Sequence, residues 1–131
     1  MPTGESKEAG LAEGVLLAES LRVGASLNEL NLTVTKLSRE DIGDLSAGQP
    51  RTWTLIHFSV PATRAQALAT WLVEALDEGG WYCDFRTPDE TFVVFAGRKF
   101  RYPRGDRRGR EQAAEYARSV GVPEAQIDWR E

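Results

Sequence analysis

The chain is short of the residues from which functional sites are most often read. Among 131 residues it has one cysteine, Cys83, one histidine, His57, and one methionine. A lone cysteine cannot close an intrachain disulfide. One Cys with one His also falls short of the usual nitrogen and sulfur ligand set of a zinc site. No metal and no cofactor are therefore expected. No apolar run reaches the length of a membrane-spanning helix. The first ten residues, MPTGESKEAG, have neither the basic start nor the apolar stretch of a secretory signal. With the single cysteine, these absences point to a reducing cytoplasm. Abundant Ala, Gly and Arg suit a bacterial origin. No phosphate-loop motif is present, and Gly105 and Gly109 do not make one.

What is there is ordinary globular material. Hydrophobic residues make up 41% and charged residues 27% of the chain. That length supports a self-sufficient core without a disulfide or metal staple. Residues 1–10 read as a disordered tail and 11–131 as a single α+β domain.

Net charge is −4, but it is unevenly spread. Residues 98–110 hold seven basic side chains against one acid, so the rest of the chain is strongly acidic. A nucleic-acid-binding domain is usually basic overall, so nucleic acid is an unlikely partner on charge alone.

Periodicity supplies the elements. Leu11, Val15 and Leu16 recur at helical spacing and predict a short helix over 11–21, weakened by Gly14. Residues 31–37 alternate and predict a strand. Residues 38–50 carry Asp, Gly and Pro and predict a long loop. Residues 52–60 predict a central strand apolar on both sides and so covered on both, at least in part, with Ile56, Phe58 and Val60 on one face and Trp53, Leu55 and His57 on the other. Ala65, Leu68, Ala69, Leu72 and Leu76 form one stripe of a helix over 62–78, stopped by Gly79–Gly80. Trp71 lies off that stripe. Three short strands follow, at 81–86, 91–95 and 98–102. A last helix over 107–120 is capped by Asp106 and ended by Gly121 and Pro123. One further turn follows at 123–126, and Ile127 and Trp129 then dock the C-terminus. The order (α)ββαβββα predicts a mainly antiparallel sheet of about five strands with two main helices, in a two-layer sandwich.

Two features suggest function. The first is the basic segment Arg98, Lys99, Arg101, Arg104, Arg107 and Arg108, which runs from a strand into a helix start. Free N–H groups and Arg forks there suit an anionic ligand. The competing reading, a solvated edge whose charges block sheet-to-sheet pairing, is preferred. The second is Tyr82, Asp84 and Arg86, which alternate onto the face opposite Trp81, Cys83 and Phe85. They would form a polar pocket wall, although any half-exposed antiparallel sheet shows such alternation. His57, in mid-strand, reads as a packed imidazole. Cys83 reads as a buried, inert thiol.

No known family is suggested by these motifs, and no catalytic residues are assigned. The preferred expectation is a non-catalytic ligand- or protein-binding module, accessory or regulatory, that takes a small anionic ligand or a protein partner. The alternatives are a small enzyme using Asp84, His57 or Tyr82 in a cleft, and a weak nucleic-acid binder through 98–110. No membrane contact is expected, and monomer and homodimer are both compatible with the sequence.

Overall fold

Residues 11–17 alternate as well as they spiral, and tertiary pairing decides between the two. In the computed structural model, which describes residues 10–43 and 49–129, they form a strand, β1 (Leu11–Leu17), followed by a single 3-10 turn (Ala18–Ser20). The helix predicted over 11–21 is therefore replaced by a central strand, which pairs antiparallel with two neighbours. The predicted tail lies outside the described residues, apart from Gly10.

Gly14 explains the outcome. It faces Phe58 on one neighbour and Phe85 on the other. With no side chain at Gly14, those two rings meet edge to face above it, centroids 6.2 Å apart. A glycine that weakens a helix here makes room for aromatic contact across a strand.

The remaining elements are β2 (Thr33–Asp41), β3 (Thr52–Pro61), α1 (Ala65–Ala75), β4 (Tyr82–Arg86), β5 (Glu90–Phe95), β6 (Arg98–Pro103) and α2 (Arg107–Ser119). The fold is α+β, as expected, with one antiparallel sheet. Among the described residues the sheet has six strands rather than about five, in the order β2-β3-β1-β4-β5-β6. The predicted loop over 38–50 is shorter than expected, because β2 continues to pair with β3 as far as Asp41 opposite Thr52. Leu76 leaves the helical path three residues before Gly79, turns extended, and bridges Leu21. The helix predicted over 62–78 thus ends at Ala75.

The two helices lie on opposite faces of the sheet, so the predicted two-layer sandwich gives way to three layers over its β5–β6 end. Phe92 and Val94 point to a core shared with Leu68, Ala69 and Leu72 of α1. Val93 and Phe95, the intervening residues of the same strand, point to a core shared with Ala113, Ala114 and Ala117 of α2. We call these the first and second faces. Every residue of Thr91–Phe95 is buried, which is the pattern of a strand covered on both sides. On the first face Phe85 stacks on Phe92, centroids 4.9 Å apart and 6° from parallel. Burying each ring is worth about 2–3 kcal/mol. Trp71 packs against this core and donates from Nε1 to the Ser26 carbonyl at 2.8 Å, tying down the β1–β2 connection.

The sequence signals at the C-terminal end are realised. Asp106 accepts from the Arg108 backbone N–H at 3.2 Å and caps α2. Gly121 adopts φ 91°, the left-handed conformation glycine takes most easily. Beyond a 3-10 turn (Glu124–Gln126), Ile127 and Trp129 are buried in the second core. Residues 122–129 thus form a C-terminal strap over that face. Among the described residues, no helix is long and apolar enough to cross a membrane.

One carboxylate braces the β1 turn onto β3. Glu19 accepts from the Thr54 backbone N–H at 2.7 Å and from its hydroxyl at 2.8 Å. Burial works to raise the Glu19 carboxyl, but the two Thr54 hydrogen bonds together with the Arg39 charge outweigh it, so its pKa lies below the ordinary value. A lowered folded pKa stabilises above the unfolded value, and that stabilisation is lost as pH falls through the folded value. Glu19→Gln is therefore expected to cost about 1 kcal/mol at neutral pH, the modest figure reflecting a partly solvated site. The difference from wild type should begin to shrink below pH 4.5, the ordinary value, and close as pH falls through the lowered folded value. Urea unfolding at pH 7 and pH 3 measures it, and a gap that persists undiminished at pH 3 would contradict the assignment.

Candidate functional site

The second face is only partly covered. Its β5–β6 end lies under α2, whereas over β1 and β3 the residues Val15, Leu17, Trp53, Leu55 and His57 remain half-buried and Leu11 is 50% exposed. A pocket of about 270 Å³ opens at this boundary. Its floor comes from Val15 and Leu17 on β1 and from Trp53 on β3. One wall comes from Trp81, Tyr82 and Asp84, and the other from Ala125, Gln126 and Asp128 of the strap.

Alternation aims these side chains. Cys83 and Phe85 enter the first core, which sends Tyr82 and Asp84 to the second face. Trp81 just precedes β4 and packs on Trp53, ring centroids 5.8 Å apart. The same parity works in the strap: Ile127 and Trp129 turn inward and leave Asp128 at the pocket.

Tyr82 anchors the strap. Its hydroxyl donates to the Gln126 carbonyl and lies 3.2 Å from Asp128 Oδ1. Burial, with the Asp84 and Asp128 charges nearby, pushes the phenol well above its ordinary range. Asp84 accepts from Arg86 at 2.9 Å. Its side chain is 24% exposed, yet burial raises its carboxyl, with Arg86 opposing the rise and Asp128 adding to it. The pair Asp84–Arg86 on the predicted polar wall is thus formed, and Asp84 sits in the less hydrated of the two acidic positions. Trp53 Nε1 and Gln126 Nε2 are both buried and have no hydrogen-bond partner among the described residues.

The basic segment is dispersed. Strand alternation sends its members to both faces. Arg98 lies on the second face, over the rings of Phe100 at 4.8 Å and Tyr116 at 5.2 Å. Lys99 and Arg101 lie on the first face, where Lys99 donates to Thr70 at 3.2 Å and Arg101 grips Glu90 with two bonds of 2.8 and 2.9 Å. Arg104 reaches the Thr87 carbonyl at 3.5 Å from the β6–α2 turn. Arg107 and Arg108 begin α2, where the Asp106 carboxylate already takes the Arg108 N–H. These six cations do not converge on one cavity.

His57 shares the second face with Tyr82 and Asp84 but stands two strands from β4, with Val15 between. That spacing is roughly 10 Å, beyond hydrogen-bond reach. Cys83 is fully buried in the first core, its thiol directed at the Val15 carbonyl at 3.5 Å, and burial pushes its pKa up. It is chemically quiet in this setting. Asp128, Gln126 and Trp53 were not singled out as site residues by sequence. For Asp128 the available signal was the alternation Ile127-Asp128-Trp129. Set against known protein families, curated proteins and solved structures, the chain matches none of them.

Proposed function

We propose that this chain is a non-catalytic binding module and that its ligand seats in the pocket between β1, β4 and the C-terminal strap. The observation that carries the reading is the convergence in one cavity of aromatic rings, two carboxylates and the Trp53 and Gln126 side chains, whose buried nitrogens have no partner among the described residues. Mostly apolar and aromatic walls with a few placed polar groups are what small-molecule sites have in common. Buried polar atoms without partners are rare in folded chains and mark places where something else completes the hydrogen bonding. The expectation of a binding module is kept, and the ligand moves from the basic segment to the pocket. Arg98, Lys99, Arg101 and Arg104 each engage a ring, a side chain or a carbonyl, which leaves them better suited to hold the β6 edge apart from other strands.

A fragment library screened by amide-resolved NMR tests this. Hits are expected to shift Trp53, Trp81, Tyr82 and Gln126 and to raise the melting temperature, since binding to the folded state stabilises it. Pyrophosphate, a probe of the basic segment, is expected to leave the melting temperature unchanged. Hits that cluster at Arg98–Arg108 and spare the pocket would sink the reading. A second reading, a small enzyme with Asp84 as proton donor, draws on the raised Asp84 carboxyl. It is less favoured because the Tyr82 hydroxyl is committed to the strap and His57 is out of reach.

A further inference from the structure

The chemistry of the pocket wall narrows the ligand class, a step that rests on the pocket being the binding site. Among the described residues, its ionisable lining is Asp84, Asp128 and the Tyr82 phenol, with no Lys, Arg or His. Arg86 pairs with Asp84 from outside that lining, and among the described residues Tyr82 is the hydrogen-bonding neighbour of Asp128. The remaining walls are the rings of Trp53, Trp81 and Tyr82 and the aliphatic chains of Val15, Leu17 and Ile42. Indole and phenol faces carry negative quadrupole charge and attract cations, most strongly where water is thin. Carboxylates brought into the same space repel an anion and pair with an ammonium or amidinium. The cavity, about 270 Å³, has room for a molecule of roughly one ring and a short arm. We propose that the pocket binds a small organic cation: an ammonium or amidinium group seated against Asp128 and Asp84, carrying one apolar ring laid against the Trp53–Trp81 pair. The first-face core and the basic segment take no part.

Three probes that share a phenylethyl arm and differ in head-group charge test the sign of the preference: 2-phenylethylammonium, 3-phenylpropanamide and 3-phenylpropanoate. Binding is read by tryptophan fluorescence and confirmed by NMR shifts at Trp53. The cation is expected to bind about tenfold more tightly than the neutral amide, and the carboxylate more weakly still. Asp128→Asn is expected to weaken the cation about tenfold while leaving the amide unchanged. Asp128 is exposed, so this variant should fold, and its thermal melt checks that it does. If all three probes bind equally at the pocket, or the carboxylate binds best there, the pocket reading survives and the cation proposal fails. If none binds at concentrations where the cation saturates a free aromatic-acidic site, both fail. If Asp128→Asn weakens cation and amide alike, Asp128 acts by holding the strap and the charge assignment is overturned.

Discussion

Gly14→Val is expected to destabilise the fold by about 3 kcal/mol or more, at the upper end of what overpacking costs. The argument is one of space, since Gly14 does not adopt a positive φ. A Cβ there would stand 2.5 Å from the Asp84 carbonyl oxygen and 2.6 Å from Phe85 Cβ. The first of these is backbone, held by the sheet, and cannot swing away as a side-chain tip would. To admit even a methyl group, β1 and β4 must part or Phe85 must leave its stack on Phe92. Strand propensity alone predicts the reverse, because valine is among the preferred strand residues and glycine among the least. Urea unfolding therefore separates the two accounts. A valine variant within 1 kcal/mol of wild type would overturn the packing explanation. Should the valine variant fail to fold, Gly14→Ala reports the same clash at smaller size, and an alanine variant as stable as wild type would be equally damaging.

Trp129→Ala is the second large effect, expected at about 3–5 kcal/mol. Trp129 is 4% exposed although it lies close to the C-terminus. Its Nε1 donates to the Tyr102 hydroxyl at 3.0 Å, its ring meets Tyr82 edge to face at 5.2 Å, and the Arg110 guanidinium lies 5.6 Å from its centre. Arg110 also donates to the Trp129 carbonyl at 3.3 Å. Truncation leaves a cavity under the strap and orphans the Tyr102 hydroxyl. Trp129→Phe keeps most of the volume and isolates the lost hydrogen bond, for about 1–2 kcal/mol. A loss below 1 kcal/mol for the alanine variant would mean that the strap is not part of the cooperative fold. Because Gln126 and Asp128 hang on the same strap, the alanine variant is also expected to lose the tryptophan response to 2-phenylethylammonium before it loses the sheet.

Elements that satisfy their own pattern locally were readable from the sequence. The α1 stripe, the Asp106 cap, the Gly121 stop and the β4–β5–β6 hairpins each depend on residues a few positions apart. β1 was not readable, because Leu11, Val15 and Leu16 satisfy both periods and only pairing with distant strands chooses between them. The layer count was missed for a different reason. The continuous burial of Thr91–Phe95 is the mark of cover on both sides, whereas the same expectation placed on residues 52–60 fell on a strand whose second face is half open. Period two puts Tyr82, Asp84 and Arg86 on one face, but it also predicts Trp81 beside Cys83 and Phe85, whereas Trp81 precedes β4 and packs on Trp53 instead. The pocket itself is built from Trp53, the start of β4 and residues 125–128, and no local spacing joins those three stretches.

The place of β1 bears on the order in which the chain can assemble. The C-terminal half, β4 through α2, is made of successive neighbours and can zip up from short-range contacts. β1 cannot: it is made before both of its partners and stays without either until β3 and then β4 have followed. Its ladder closes the largest loops in the sheet, the kind of contact that slows folding. Until then a strand with Leu11, Val15, Leu16 and Leu17 has its backbone groups unpaired, so the nascent chain is most exposed to self-association through the segment that ends up at the centre of the folded sheet.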